Sequence, residues 1–167
     1  PSLNFITHNN YIPFKKRKND IAFCGSVAPK FVKRYNLLNK LKKKFNIKIV
    51  RHALDINLYN KELLNTKIVI NIYSNEYNKI FDYYRNTYLL ANKCLFISEY
   101  PDNIDLGIEK NLIGFDKHLI FFNEENIENT LNKYLKLNNH EYDELVNKQY
   151  NWFVKQNNMD DYLKKIL

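Results

Sequence analysis

Short unbroken apolar runs, separated by stretches of helical spacing, constrain this chain more than any other feature. The runs are Ile21 to Cys24, Ile47 to Val50, Ile68 to Ile72, Leu95 to Ser98 and Leu119 to Phe122. Apolar runs without polar alternation are what strands covered on both faces look like. Between them Phe31, Tyr35, Leu38 and Leu41 form one helical stripe, Leu58, Glu62 and Leu63 belong to a shorter helix, and Ile80, Tyr84, Tyr88 and Ala91 mark a third.

Strand and helix in alternation imply a parallel sheet with right-handed crossovers and helices on both faces, a Rossmann-like α/β domain of about five strands. The expected strand order is 3-2-1-4-5. That order places a ligand crevice at the C-terminal ends of the first and fourth strands, at Gly25-Ser26 and Glu99-Tyr100-Pro101. After the last strand, Asn123 is expected to cap a helix through Ile127, Leu131 and Tyr134, and a second C-terminal helix runs through Tyr142, Leu145, Tyr150 and Phe153. Trp152 is expected to pack back on the sheet or on a neighbouring domain.

A chain of 167 residues with 45% hydrophobic content can bury one core. Residues 1–19 lack a sustained period and end in Lys15-Lys16-Arg17-Lys18, so they read as a linker or arm, with the domain proper over 20–167. The opening Pro1 reads as a cut from a longer polypeptide. Without an apolar run of about 18 residues or a signal-peptide pattern, no membrane span is expected, and the reading is cytoplasmic. Cys24 and Cys94 sit inside apolar runs, where cysteine behaves as a small hydrophobe. His8, His52, His118 and His140 show no ligand spacing, so no metal is expected.

The net charge of +8 raises a nucleic-acid reading. The lysines concentrate in the arm and in Lys40, Lys42, Lys43 and Lys44 on an apparent helix, which also fits a solvated face, and nucleic acid is the lesser alternative. The richness in Asn, Lys, Ile and Tyr is what AT-rich coding produces without selection on function.

Chemistry is sought first where Asp-Ile-Ala-Phe-Cys-Gly-Ser ends the first strand, because Gly25 lets a phosphate or a sugar approach the backbone. The chain has no Gly-x-Gly-x-x-Gly and no Gly-x-x-x-x-Gly-Lys-Ser/Thr, which argues against dinucleotide dehydrogenases and P-loop NTPases. Cys24-Gly25 stands where a receiver domain needs an acidic pocket.

The first strand end and the stretch from Lys67 to Glu99 carry a likeness: Phe23, Gly25 and Ser26; Ile70, Asn71 and Ile72; then Phe81, Arg85, Leu90, Ala91, Ser98 and Glu99. In this order and spacing the chain, over roughly residues 20–135, resembles the spore-maturation-protein type of GT-B glycosyltransferases, in their C-terminal nucleotide-sugar-binding domain. The resemblance implies a site for a nucleoside-diphosphate sugar built from Gly25, Ser26, Asn71, Tyr73, Phe81, Asp82, Arg85, Tyr88, Glu99 and Tyr100. It implies a pyrophosphate at the N-terminus of the helix starting close to Lys79, with no cofactor besides the sugar donor. Arg85 would hold a phosphate oxygen, or instead pair with Asp82 or Glu76 on the surface.

Two departures stand out. Tyr88 occupies the place of the Glu that holds the donor ribose in many retaining relatives, and Asn92-Lys93 replaces the glycine of the helix-ending turn. The acceptor and the catalytic base would come from a neighbouring domain of the parent chain. The alternative is a non-catalytic domain that keeps the fold as a scaffold. Tyr73, Tyr77 and Tyr100 are the aromatic residues best placed at strand ends to stack on a ligand.

Overall fold

The computed structural model describes residues 12–50, 56–75, 77, 79, 83–101 and 118–156. Five parallel strands, β1 (Asn19–Cys24), β2 (Ile47–Val50), β3 (Thr66–Asn71), β4 (Phe96–Glu99) and β5 (Ile120–Phe122), form one sheet. The described helices are α1 (Val32–Lys42), α2 (Ile56–Leu64), α3 (Tyr83–Ala91), α4 (Ile127–Leu135) and α5 (Asn139–Gln156). The α/β reading and the C-terminal helices are therefore present.

The strand order differs from the expected one. It runs β2-β1-β3-β4-β5, so β1 lies between β2 and β3 and the reversal of direction falls between β1 and β3, not between β1 and β4. The residues explain the difference. In 3-2-1-4-5, β2 would be an inner strand, yet Lys48 is exposed and Ile47 and Ile49 are only partly buried, the pattern of a border strand. β3 is buried at every position but Lys67 and takes the inner place, in register with β1 from Ile21 opposite Ile68 to Phe23 opposite Ile70. The observed order, 2-1-3-4-5, is the other common doubly wound arrangement, with its switch point between β1 and β3.

Because side chains alternate along each strand, each sheet face carries its own core. On one face Ile21, Phe23, Ile68, Ile70 and Ile97 meet Leu37, Leu38 and Leu41 of α1 and Ile127 and Leu131 of α4. On the other, Ala22, Val69 and Phe96 meet Leu63 of α2, Leu89 and Leu90 of α3, and Trp152 and Phe153 of α5. Trp152 thus packs within this domain, stacked on His118 with ring centroids 5.3 Å apart. Cys24 and Cys94 are buried and are not joined in a disulfide. Burial pushes the Cys94 thiol up to about 12.

Packing against the core begins ahead of Asp20. Phe14 is fully buried and stacks on Tyr142 of α5 at 4.7 Å. Arg17, inside the basic run expected to be a solvated arm, is buried. Its guanidinium donates to the carbonyls of Ile12 (3.0 Å) and Thr66 (2.9 Å) and to the Tyr142 hydroxyl (2.6 Å). It also lies over the Tyr142 ring at 4.6 Å. A cation read as solvated is therefore a packing element that ties the chain's entry to β3 and α5.

Local signals set the helix ends. Asn138 and Glu141 exchange side-chain-to-backbone bonds of 2.8 and 3.0 Å at the start of α5, a capping box. Ahead of α4, Asn123 and Asn126 exchange similar bonds at 3.0 Å, so Asn123 braces the turn and Asn126 occupies the cap position itself. At the end of α3, Cys94 N–H bonds the Leu89 carbonyl and Lys93 N–H that of Leu90, closing a Schellman turn. The left-handed residue is Lys93, at φ 51°, rather than Asn92, whose side chain bonds the Tyr88 carbonyl at 2.7 Å.

Candidate functional site

A parallel sheet that reverses its winding leaves a crevice at the C-terminal strand ends where the connections part. Here β1 is followed by Gly25, whose φ of 154° suits a residue without Cβ and whose N–H bonds the Val50 carbonyl at 3.1 Å. Arg34, in the first turn of α1, spans the point of reversal. It donates from Nε to the Ile72 carbonyl after β3 (2.9 Å) and from Nη1 to the Ser26 carbonyl after β1 (3.1 Å). The ends of β1 and β3 are thus fastened together by a guanidinium that lies 5.3 Å from the centroids of both Phe23 and Phe31.

At the end of β4 stands Glu99, whose side chain is 5% exposed. A buried carboxylate requires partners, and it has them on several sides. Lys33 of α1 forms an ion pair and hydrogen bond with Oε1, Lys79 reaches the same oxygen at 3.7 Å, and the backbone N–H of Tyr73 donates to Oε2 at 3.0 Å. The loop after β3 and the first turn of α1 therefore meet on one carboxylate at the end of β4. Behind it, the Asn71 amide donates to Ser98 Oγ at 3.1 Å, bracing β3 to β4.

A cleft of about 210 Å³ opens beside this cluster, lined by Lys33, Lys79, Glu99 and Tyr100 and closed on the β5 side by Asn123 and Glu124. Tyr100 meets Phe121 edge-on at 5.3 Å, which orients its ring. A second hollow of about 410 Å³ shares Lys33 and Glu124 with the first and extends past Lys30, Val32, Ser74 and Tyr77. Tyr77 is 77% exposed, so its ring face is open to a ligand. Ammonium groups beside a polar cleft attract anions, and a fixed carboxylate accepts hydroxyl hydrogens.

Of the residues expected at the site, Gly25, Ser26, Tyr73, Glu99 and Tyr100 lie along this edge, and Asn71 stands one layer behind. Arg85 is in the first turn of α3, which follows β3 and so begins at the same edge, but its side chain lies outside the described residues, as do Phe81, Asp82 and Glu76. Tyr88 is turned elsewhere. It packs against Tyr59 of α2 with centroids 5.8 Å apart and donates its hydroxyl to Asn60. Burial holds that hydroxyl above the usual phenol range, against the opposing effect of the Asn60 bond. Lys33 and Arg34 were not anticipated. The available signal was their position, since cations in the first turn of a helix oppose its dipole and need a compensating partner.

The geometry defines a doubly wound α/β domain with a charged crevice at the C-terminal ends of its strands, beside the point of reversal. No protein-family model, no curated protein and no solved structure matches the chain. Among the described residues, no helix is long and apolar enough to cross a membrane.

Proposed function

We propose that the crevice binds a nucleoside-diphosphate sugar and that the domain is the donor-binding half of a glycosyltransferase. The observation that carries this reading is the convergence of Lys33 and Lys79 on buried Glu99 at the mouth of the cleft. Sugar transfer accumulates charge on the departing diphosphate, and fixed ammonium groups stabilise that charge without proton transfer. The first turn of α3, with Arg85, adds free N–H groups and the positive end of a dipole at the same edge. Glu99 would accept hydroxyl hydrogens of the ribose or sugar, exchanging part of its lysine pairing for them. The rings of Tyr100 and Tyr77 offer faces for the base. The acceptor and the catalytic base would come from another part of a longer chain, acting in the cytoplasm.

A titration of the full chain with nucleoside diphosphates and their sugars, read by thermal shift, tests this. Saturation with one family of diphosphates at about 100 times its Kd should stabilise the fold by about 2.7 kcal/mol. The shift should shrink in Lys33→Ala, Lys79→Ala and Arg85→Ala. Absence of any shift across the panel, or a shift untouched by all of these substitutions, would overturn the reading. Tyr88 favours a second reading. Its engagement with Asn60 removes it from the crevice, as in a domain that keeps the fold and binds without catalysing transfer. Diphosphate binding without turnover in the presence of the acceptor domain would support that reading.

A further inference from the structure

The end of the sheet opposite the crevice carries the basic runs that the proposed site does not use. β1 is entered from Lys15, Lys16 and Lys18, β2 from Lys42, Lys43 and Lys44, and β3 from the last turn of α2 with Lys61. These strands are neighbours in the order β2-β1-β3, so their entries lie side by side, spanning about 10 Å at the usual strand spacing. Backbone bonds tie the entries together. Ile21 N–H donates to the Asn46 carbonyl at 3.2 Å, Asn19 N–H to that of Asn65 at 2.9 Å, and Asn65 N–H to that of Lys61 at 3.2 Å.

Acidic neighbours neutralise only part of this edge. Glu128 takes Lys40 and Lys44, Glu62 takes Lys48, and Asp20 takes Lys67. Lys16, Lys18, Lys42, Lys43 and Lys61 are exposed, and none of them is paired with a carboxylate among the described residues; Lys15 is exposed beside the Phe14 ring. Like charges gathered from separate segments repel one another and gain from a counter-surface of opposite sign.

We propose that this lysine edge seats the domain on an anionic lipid surface. The character of the edge favours headgroups over nucleic acid. Its free charges are all lysines, point charges that suit a diffuse field of headgroups, while the one arginine of the run, Arg17, is buried and engaged. Strand binders stack bases on exposed aromatic rings. Among the described residues the large apolar side chains left exposed are Val32, Tyr35, Leu58 and Tyr77, in the first halves of α1 and α2 and in the loop after β3, away from these entries. Attachment is therefore electrostatic and shallow, and it leaves the crevice facing water.

The test is co-sedimentation of the full chain with vesicles. Each lysine near a charged bilayer contributes about fivefold in partitioning. Binding is expected to phosphatidylcholine vesicles carrying about 30% phosphatidylserine, to be absent with phosphatidylcholine alone, and to weaken as salt shortens the screening length. The variant Lys16→Glu with Lys43→Glu, both exposed, should lose at least about 25-fold. The milder pair Lys16→Gln with Lys43→Gln should show a smaller loss with an unchanged melting curve. Equal binding to neutral and charged vesicles, indifference to both pairs, or stronger binding to duplex RNA or DNA than to charged vesicles at equal phosphate would overturn the proposal. Lys33→Ala, at the opposite end, should leave vesicle binding unchanged, which keeps this test separate from that of the crevice.

Discussion

Arg17 and Tyr142 stand 125 positions apart in the chain and meet through a 2.6 Å hydrogen bond, with the guanidinium also lying over the tyrosine ring. The pair joins the entry of β1 to α5 across the bottom of the sheet. Removing Arg17 takes a donor from the Thr66 carbonyl and another from the Tyr142 hydroxyl, both buried. Arg17→Ala should cost about 3 kcal/mol in urea denaturation. Arg17→Lys should recover less than half of that, because an ammonium cannot reproduce the fork.

The Glu99 cluster should behave non-additively. Lys33→Met leaves the carboxylate with Lys79 and the Tyr73 N–H and should cost about 1–2 kcal/mol, below the 3–5 kcal/mol usual for a stranded buried charge. Adding Lys79→Met removes the second cation and should bring the loss into that higher range. A double-mutant cycle giving simple additivity would mean that Lys79 does not compensate for Lys33.

Stability should fall on the alkaline side. The Cys94 thiol is raised from 9.0 to about 12 by burial, so between those values the unfolded chain loses a proton that the native chain keeps. The unfolded state then binds fewer protons, and stability declines as pH rises, by up to about 1.4 kcal/mol per pH unit for such a group. Tyr59 and Tyr88, also raised, act in the same direction higher up. Urea midpoints followed from about pH 8 to about pH 11 should decline less steeply in Cys94→Ala than in the parent. In the native protein Cys94 should resist alkylation at neutral pH.

Lys93 sets two effects against each other. Its left-handed φ costs a residue with Cβ about 1 kcal/mol, and its ammonium, 4.7 Å from the Tyr150 ring centre, returns about 0.5–1 kcal/mol. Lys93→Gly should therefore change stability by less than about 0.5 kcal/mol in the parent, yet stabilise by about 1 kcal/mol in a Tyr150→Leu background. Equal effects in both backgrounds would show that the ring contact contributes nothing.

The elements were legible because apolar runs and helical stripes report local burial, and β1 to β5 fall on the expected runs. Strand order was not, because a run says how deeply a strand is buried but not which neighbour it pairs with. Lys48 was the overlooked clue, since an exposed cation in the middle of a four-residue strand fits a border position. The edge of the crevice was legible from Gly25 and Glu99, whose places at strand ends follow from the alternation. Lys33 was hidden because it lies on α1 outside the apolar stripe, and its partner is 66 positions away. Phe14 and Arg17 were hidden by the charges around them, which drew the segment toward a solvated reading.

The borders of the sheet carry a consequence for self-association. Among the described strands the outer ones are β2, of four residues with Lys48 exposed, and β5, of three residues. Short borders, one of them carrying an exposed lysine, are poor templates for an incoming strand. The inner strands β1 and β3, whose apolar runs would be the most adhesive if uncovered, are each paired on both sides. Loss of β2 would expose β1 as a longer apolar border, so local fraying there, rather than global unfolding, is the step at which fibrous growth would begin.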